Sequence, residues 1–186
     1  MIISVFGECD KRPVVYALLK ILQEFGDVLY ISNESHALRL SDTRQSLGHY
    51  QNIMVAYTEE GFDDFFDDSR YGVSDFDAIV VEGVVCTEAD LMIFVEGAVT
   101  SAFEESDLSY LDDYKIFRLF KKNLYTTQVI KKVEEFEAYG NLCAMSQGVV
   151  NELVPLLSGL SIAPPRSLTR IALRSDAPKR LSKQLV

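Results

Sequence analysis

No apolar run in this chain approaches the roughly 18 residues that a membrane span requires; the stretch 91–95 is typical of the longest ones. The opening MIISVFGECD lacks a basic n-region, so no secretory signal is expected. Cysteine is scarce. There are three, an odd number at wide spacing, which argues against a disulfide framework and for a reducing cytoplasmic location. Histidine is scarcer: His36 and His49 stand alone in a polar connection and are expected to be loop residues. Neither has a Cys or Glu at ligand spacing and no CxxC pair occurs, so neither a metal site nor a cofactor is expected. No Ser or Cys sits in a nucleophile-elbow sequence, which leaves hydrolase chemistry unsupported. Internal repeats and low-complexity tracts are also missing.

What is present is a core. Of 186 residues, 48% are hydrophobic and 25% charged, the balance of one globular domain rather than a disordered chain. A body of this size buries roughly 70% of its unfolded surface and needs no staples. The net charge of −10 is unevenly spread. Residues 166–186 carry six Lys or Arg against a single Asp, a balance of +5, while the rest carries twelve against twenty-seven, a balance of −15. Pro164 and Pro165 break regular structure between the two, which divides the chain into a body, 1–163, and a basic C-terminal tail or docking segment, 164–186. Within the tail, Arg166, Arg170 and Arg174 recur every four residues, so a helix would gather them on one side. The tail reads either as solvated chain or as a docking segment. An acidic body repels polyanions, so contact with nucleic acid or membrane is expected through the tail if at all.

Along the body, strands alternate with helices. Residues 2–6 form a short apolar run ending at Gly7. Val14, Leu18, Ile21, Leu22 and Phe25 then recur at helical spacing, which predicts a helix over 14–25. Pro13 suits the first helical position and Gly26 the C-cap. Strands are expected at 27–32, 52–57, 77–82, 91–95, 114–120 and 142–145, and helices at 61–69, 123–139 and 147–157. Continuous apolar strands separated by helices predict a three-layer α/β fold, a mainly parallel sheet with helices on both faces.

A strand, a glycine-started turn and a helix is the arrangement that cradles phosphate. The order IISVFG-ECDKRPVV-YALLKILQEFG-DVLYIS resembles the opening of the MinD/ParA-type P-loop ATPases, with their deviant Walker A loop. FDAIVVEGVVCTEADLMIFVEG resembles their Walker B strand, switch loop and next strand. The resemblance, over about residues 1–160 and mostly as pattern, implies a P-loop NTPase-like fold and roles in positioning, partitioning, secretion or pilus assembly. The diagnostic loop is altered. With Gly7 as the first loop glycine, Glu8 falls at the signature lysine, Arg12 at the second glycine, Pro13 at the P-loop lysine and Val14 at the magnesium-binding hydroxyl. Glu8 brings negative charge toward an anion, Pro13 removes an ammonium and an N–H, Arg12 obstructs close backbone approach, and Val14 cannot ligate a metal. Lys11 and Arg12 are either solvated loop charges or a displaced anion site. Glu82, at the resembled Walker B position, either ends its strand or holds a metal through water.

The resemblance would also make the strands before Cys9 and Cys86 neighbours and bring the two thiols close, either as small packing residues or in a redox role. On 61–69, Phe62, Phe65 and Phe66 fall on one face of a helix, and Asp63, Asp64, Asp67 and Asp68 lie among them. That acidic face is either simply solvated or receives a basic partner, with Asp112 and Asp113 able to join it.

The resulting expectation is a non-catalytic relative of these ATPases, a binding or regulatory module for protein partners whose dimer, if formed, is independent of nucleotide. An atypical ATPase using Lys11, Arg12 and Glu82 is the competing expectation. An accessory protein that binds nucleic acid through its tail is a third.

Overall fold

The computed structural model describes residues 1–7, 9–41, 46–59, 62–96, 116–120, 133–134 and 147–160. Glu8, Asp112, Asp113, the strand expected at 142–145 and the whole tail, with Arg166, Arg170 and Arg174, lie outside them, as does most of the helix expected at 123–139.

Among the described residues, seven strands form one sheet: β1 (Ile2–Phe6), β2 (Val28–Ser32), β3 (Leu47–Tyr50), β4 (Ile53–Tyr57), β5 (Ala78–Glu82), β6 (Leu91–Glu96) and β7 (Ile116–Phe120). Their order is β3-β4-β2-β5-β1-β6-β7. Every pairing is parallel except that of β3 with β4. The central strands are buried at every position, as the two covered faces of a parallel sheet require. Side chains alternate between two core layers. Ile3, Val5, Val28, Tyr30 and Val80 belong to one; Ile2, Leu29, Ile31, Ile79 and Val81 belong to the other.

Helix α1 (Arg12–Leu22) covers the first layer with help from α2 (Ala37–Leu40) and α4 (Gln147–Ser158). Helix α3 (Phe62–Asp68) sends Phe62 into the second. The mainly parallel α/β sheet with helices on both faces thus matches the pattern read from the sequence.

Some boundaries differ. Helix α1 opens at Arg12, which puts Pro13 at the second helical position rather than the first; the helix stops at Leu22, Gln23 is its C-cap, and Phe25 stands exposed beyond it. Gly26 is therefore not the C-cap glycine. Its own requirement is close approach: a Cβ there would stand 1.9 Å from Asp77 Oδ2, the atom that accepts the Asp27 N–H at 2.9 Å. The polar connection expected to hold loop histidines contains α2 and β3 instead. His36 is the N-cap of α2 and His49 lies within β3. A four-residue helix and a mostly exposed antiparallel strand have too little apolar periodicity to be seen in sequence.

Candidate functional site

Three parallel strands bring their carboxyl ends together on the α1 side of the sheet, where open α/β sheets hold their ligands. Glu82 is the last residue of β5, paired in register with Val5 of β1 on one side and Ser32 of β2 on the other. Tyr30 precedes Ser32 by two residues and so projects from the same face. The carboxylate of Glu82 is completely buried. Its Oε2 accepts hydrogen bonds from the Tyr30 hydroxyl and from Ser32 Oγ at 2.9 Å, with His36 Nε2 also 2.9 Å away. A carboxylate can only accept, so the His36 nitrogen facing it carries a proton. Ser32 Oγ in turn accepts the Glu34 N–H at 3.0 Å, which fixes the turn after β2. Burial and the adjacent Glu82 charge push the Tyr30 phenol well above its ordinary value, so it stays a donor at neutral pH. The other carboxylate oxygen, Glu82 Oε1, is buried and has no hydrogen-bond partner among the described residues.

The loop after β1 forms the facing wall. Gly7 has φ +124°, and a Cβ there would stand 2.6 Å from the Val95 carbonyl oxygen, so both backbone and space call for glycine. The loop is tied to itself. Lys11, only 7% exposed, donates from Nζ to the carbonyls of Gly7 (3.1 Å) and Cys9 (3.4 Å) and pairs with Glu34 Oε1 at 3.1 Å. Arg12 opens α1. Its backbone N–H donates to Asp10 Oδ1 at 3.1 Å, and its guanidinium holds both oxygens of that carboxylate at 2.8 Å. Partial burial pushes the Asp10 carboxyl up, but the Arg12 hydrogen bonds and charge outweigh it and leave it below the usual range. Lys11 and Arg12 are therefore not solvated loop charges.

Between these walls lies a polar cavity of about 340 Å³, lined by Cys9, Asp10, Lys11, Arg12, Glu34, His36, Arg39 and Glu82. The structure thus brings Lys11, Arg12 and Glu82 together, as the sequence suggested, with Gly7 at the root of the same loop. Tyr30, Ser32, Glu34, His36 and Asp10 were not anticipated as its companions. One signal was available: Tyr30 and Ser32 are polar groups two apart at the end of an otherwise apolar strand. Among the described residues, no cluster of three or more His, Cys, Asp and Glu side chains is arranged to hold a metal ion.

The other expected groups lie elsewhere. The strands before Cys9 and Cys86, β1 and β5, are neighbours as the resemblance implied; Cys9 packs against the α1-side core layer and Cys86 within the opposite one. Burial raises the Cys86 thiol above its ordinary value. Asp63 and Asp67 of α3 are exposed and Asp64 is half-buried, while Phe65 and Phe66 pack toward the second core layer; Asp68 ends the same helix. Asp64 and Phe65 line a wider cavity of about 710 Å³ with Leu47, Tyr57, Arg70 and Tyr71. It is larger than the Glu82 cavity, but no buried unpaired polar atom belongs to its lining. His49 lines a third cavity, of about 330 Å³, with Asp27 and Asn52 at the amino ends of the strands.

Compared with protein-family models, curated proteins and solved structures, the chain matches none. No helix among the described residues is long and apolar enough to cross a membrane.

Proposed function

We propose that this chain is a non-catalytic, P-loop-like binding or regulatory module of MinD/ParA type that acts through protein partners. The observation that carries this reading is the closure of the first loop upon itself. A phosphate cradle works by leaving backbone N–H groups open at a helix N-terminus. Here Asp10 supplies the anion from within the chain: its carboxylate takes the Arg12 N–H and both arms of the guanidinium. Lys11, the nearest ammonium, is spent on Gly7, Cys9 and Glu34. An incoming phosphate would have to displace a carboxylate and strip a buried lysine of its acceptors, and Pro13 and Val14 offer it neither ammonium nor hydroxyl. The strand order supports the resemblance in one further respect, since Glu82 stands on the strand beside β1.

In this reading the work is done by surfaces. The exposed Asp63 and Asp67 of α3, with Asp64 beside them, form the acidic face offered to a basic partner, and the tail positions Arg166, Arg170 and Arg174 form its basic counterpart. Titration with a fluorescent ATP analogue and magnesium tests the proposal directly. The expected result is no saturable binding and no turnover above background. Magnesium-dependent turnover that disappears in Glu82→Gln would overturn it.

A further inference from the structure

The cavity of about 710 Å³ lies at the carboxyl end of β4, on the side of the sheet's edge where open α/β sheets hold ligands. Aromatic rings line it. Tyr57 ends β4, while Phe65 of α3 and Tyr71 are half-buried against the second core layer. Phe65 and Tyr71 are backed by further rings: Phe66 stands edge-on to Phe65 with centroids 5.1 Å apart, and Phe76 lies 5.8 Å from Tyr71. Charges of both signs share the same lining. Glu59 and Arg70 are exposed, and Asp64 is half-buried. The turn that carries Arg70 is fixed by Ser69, whose Oγ accepts the Tyr71 N–H at 3.2 Å and donates to the Tyr71 carbonyl at 3.4 Å.

Opposite charges that line one cavity ordinarily pair with each other. Here, among the described residues, Arg70 meets no carboxylate, and neither Glu59 nor Asp64 meets a cation. The guanidinium lies over the Tyr71 ring instead, 5.2 Å from its centroid, and donates to the Tyr71 hydroxyl at 3.2 Å. That leaves most of its donors unused. A simple anion would be repelled by the two carboxylates, and a simple cation by the guanidinium. A ligand that carries both charges on an aromatic body satisfies every part of the lining.

We propose that this cavity binds a short zwitterionic peptide with an aromatic side chain. Its carboxylate meets Arg70, its ammonium meets Asp64, and its ring packs among Tyr57, Phe65 and Tyr71. A planar guanidinium matches a carboxylate with two parallel hydrogen bonds, and an ammonium is a compact donor to a single carboxylate. Asp64 takes the ammonium rather than Glu59, because partial burial lessens the screening that weakens exposed pairs. The volume suits a ligand the size of a dipeptide. The site is separate from the closed first loop, and it does not need the docking role of the exposed Asp63 and Asp67.

The test is an NMR titration of the full-length ¹⁵N-labelled protein with glycyl-L-phenylalanine at constant ionic strength. A pH of about 6.5 keeps the α-amino group protonated. The N-acetylated dipeptide, which lacks the ammonium, its C-terminal amide, which lacks the carboxylate, and diglycine, which lacks the ring, are parallel probes. Saturable shifts confined to Tyr57–Glu59, Asp64, Phe65 and Ser69–Tyr71 are expected with the unblocked dipeptide. Each of the three other probes should bind about tenfold more weakly or worse, as loss of a charged hydrogen bond or of ring burial does. Arg70→Gln should bind the dipeptide and its amide equally, and Asp64→Asn should bind the dipeptide and its N-acetyl form equally. Should either variant fail to fold, the four-probe comparison on the wild-type protein decides alone. Absence of saturation, a folded variant that keeps its discrimination, or N-acetyl or diglycine binding equal to the zwitterion's would each overturn the proposal. So would an amide that binds at least as well as the zwitterion, since a merely acidic surface prefers the probe with net positive charge.

Discussion

The two faces of the sheet are covered in different ways. On one, α1 is buried nearly all round: Pro13 through Leu19, with Ile21 and Leu22, is shielded, and α4 contributes Val149, Val150, Leu153 and Leu157 to the same core layer. On the other, α3 buries Phe62, leaves Phe65 and Phe66 half-covered, and exposes Asp63 and Asp67. The first arrangement is an interior helix that carries a polar crevice at its amino end. The second is a surface helix with one committed face. A helix enclosed on several sides tolerates little change and can hold an uncompensated carboxylate such as Glu82 in place. A helix seated on one face is free to display charge. In the proposed reading it is α3 that offers a surface to a macromolecular partner.

The largest expected effect tests the enclosed face. Val14 is fully buried in the first turn of α1. Val14→Asp would place a charge within an apolar core layer, at a cost of roughly 3 kcal/mol or more unless the acid protonates. Denaturant unfolding should show a large fall in the midpoint, or no cooperative transition at all. An unchanged midpoint would mean that α1 does not face the core as described.

Next in size is the crevice itself. Tyr30→Phe removes a donor from a buried carboxylate, and losing a hydrogen bond to a charged group costs roughly 1.5–3 kcal/mol. The pH dependence gives this change a signature. The phenol is raised in the folded state, so the unfolded chain loses this proton first, near a pH of about 10. The stability it contributes is complete below that pH and falls away as the pH rises toward the folded value. The wild-type protein should therefore lose more stability between about pH 9 and 11 than Tyr30→Phe does, with other alkaline groups common to both. Parallel slopes across that range would mean that Tyr30 is not buried beside Glu82.

The two faces were not equally legible in the sequence. The apolar stripe of α1 and the continuous apolar strands declared the sheet and its first cover, because burial of a parallel sheet leaves few polar positions to confuse the pattern. The acidic and apolar faces of α3 were legible for the same periodic reason. The crevice was read only in part. Lys11, Arg12 and Glu82 stood out through a family resemblance, yet their partners did not. Asp10 meets Arg12 across a tight turn, and Glu82 meets His36 across forty-six residues through strand pairing and a short helix. Spacing rules cannot register such encounters, since the contact depends on which strands become neighbours. The same limitation made His36 look like a loop residue.

The smallest expected effect on stability concerns the exposed acids of α3. Asp63 and Asp67 have no ion-pair partner among the described residues, and two carboxylates one turn apart repel each other weakly. Replacing both, as Asp63→Asn with Asp67→Asn, should move the unfolding free energy by no more than about 0.5 kcal/mol, in either direction. The same double change should weaken capture of a basic partner, and the loss should shrink as salt rises, because screening already removes much of that attraction in the wild-type protein. Pull-downs at low and high salt, paired with denaturant unfolding of the same preparations, separate the two effects. A fall in stability comparable to that of Tyr30→Phe would show that these carboxylates support the fold, and the contrast between an enclosed face and a displaying face would fail. Unchanged stability with unchanged, salt-sensitive capture would keep the contrast but move the docking surface off α3, toward the wider cavity bounded by Leu47, Tyr57 and Tyr71.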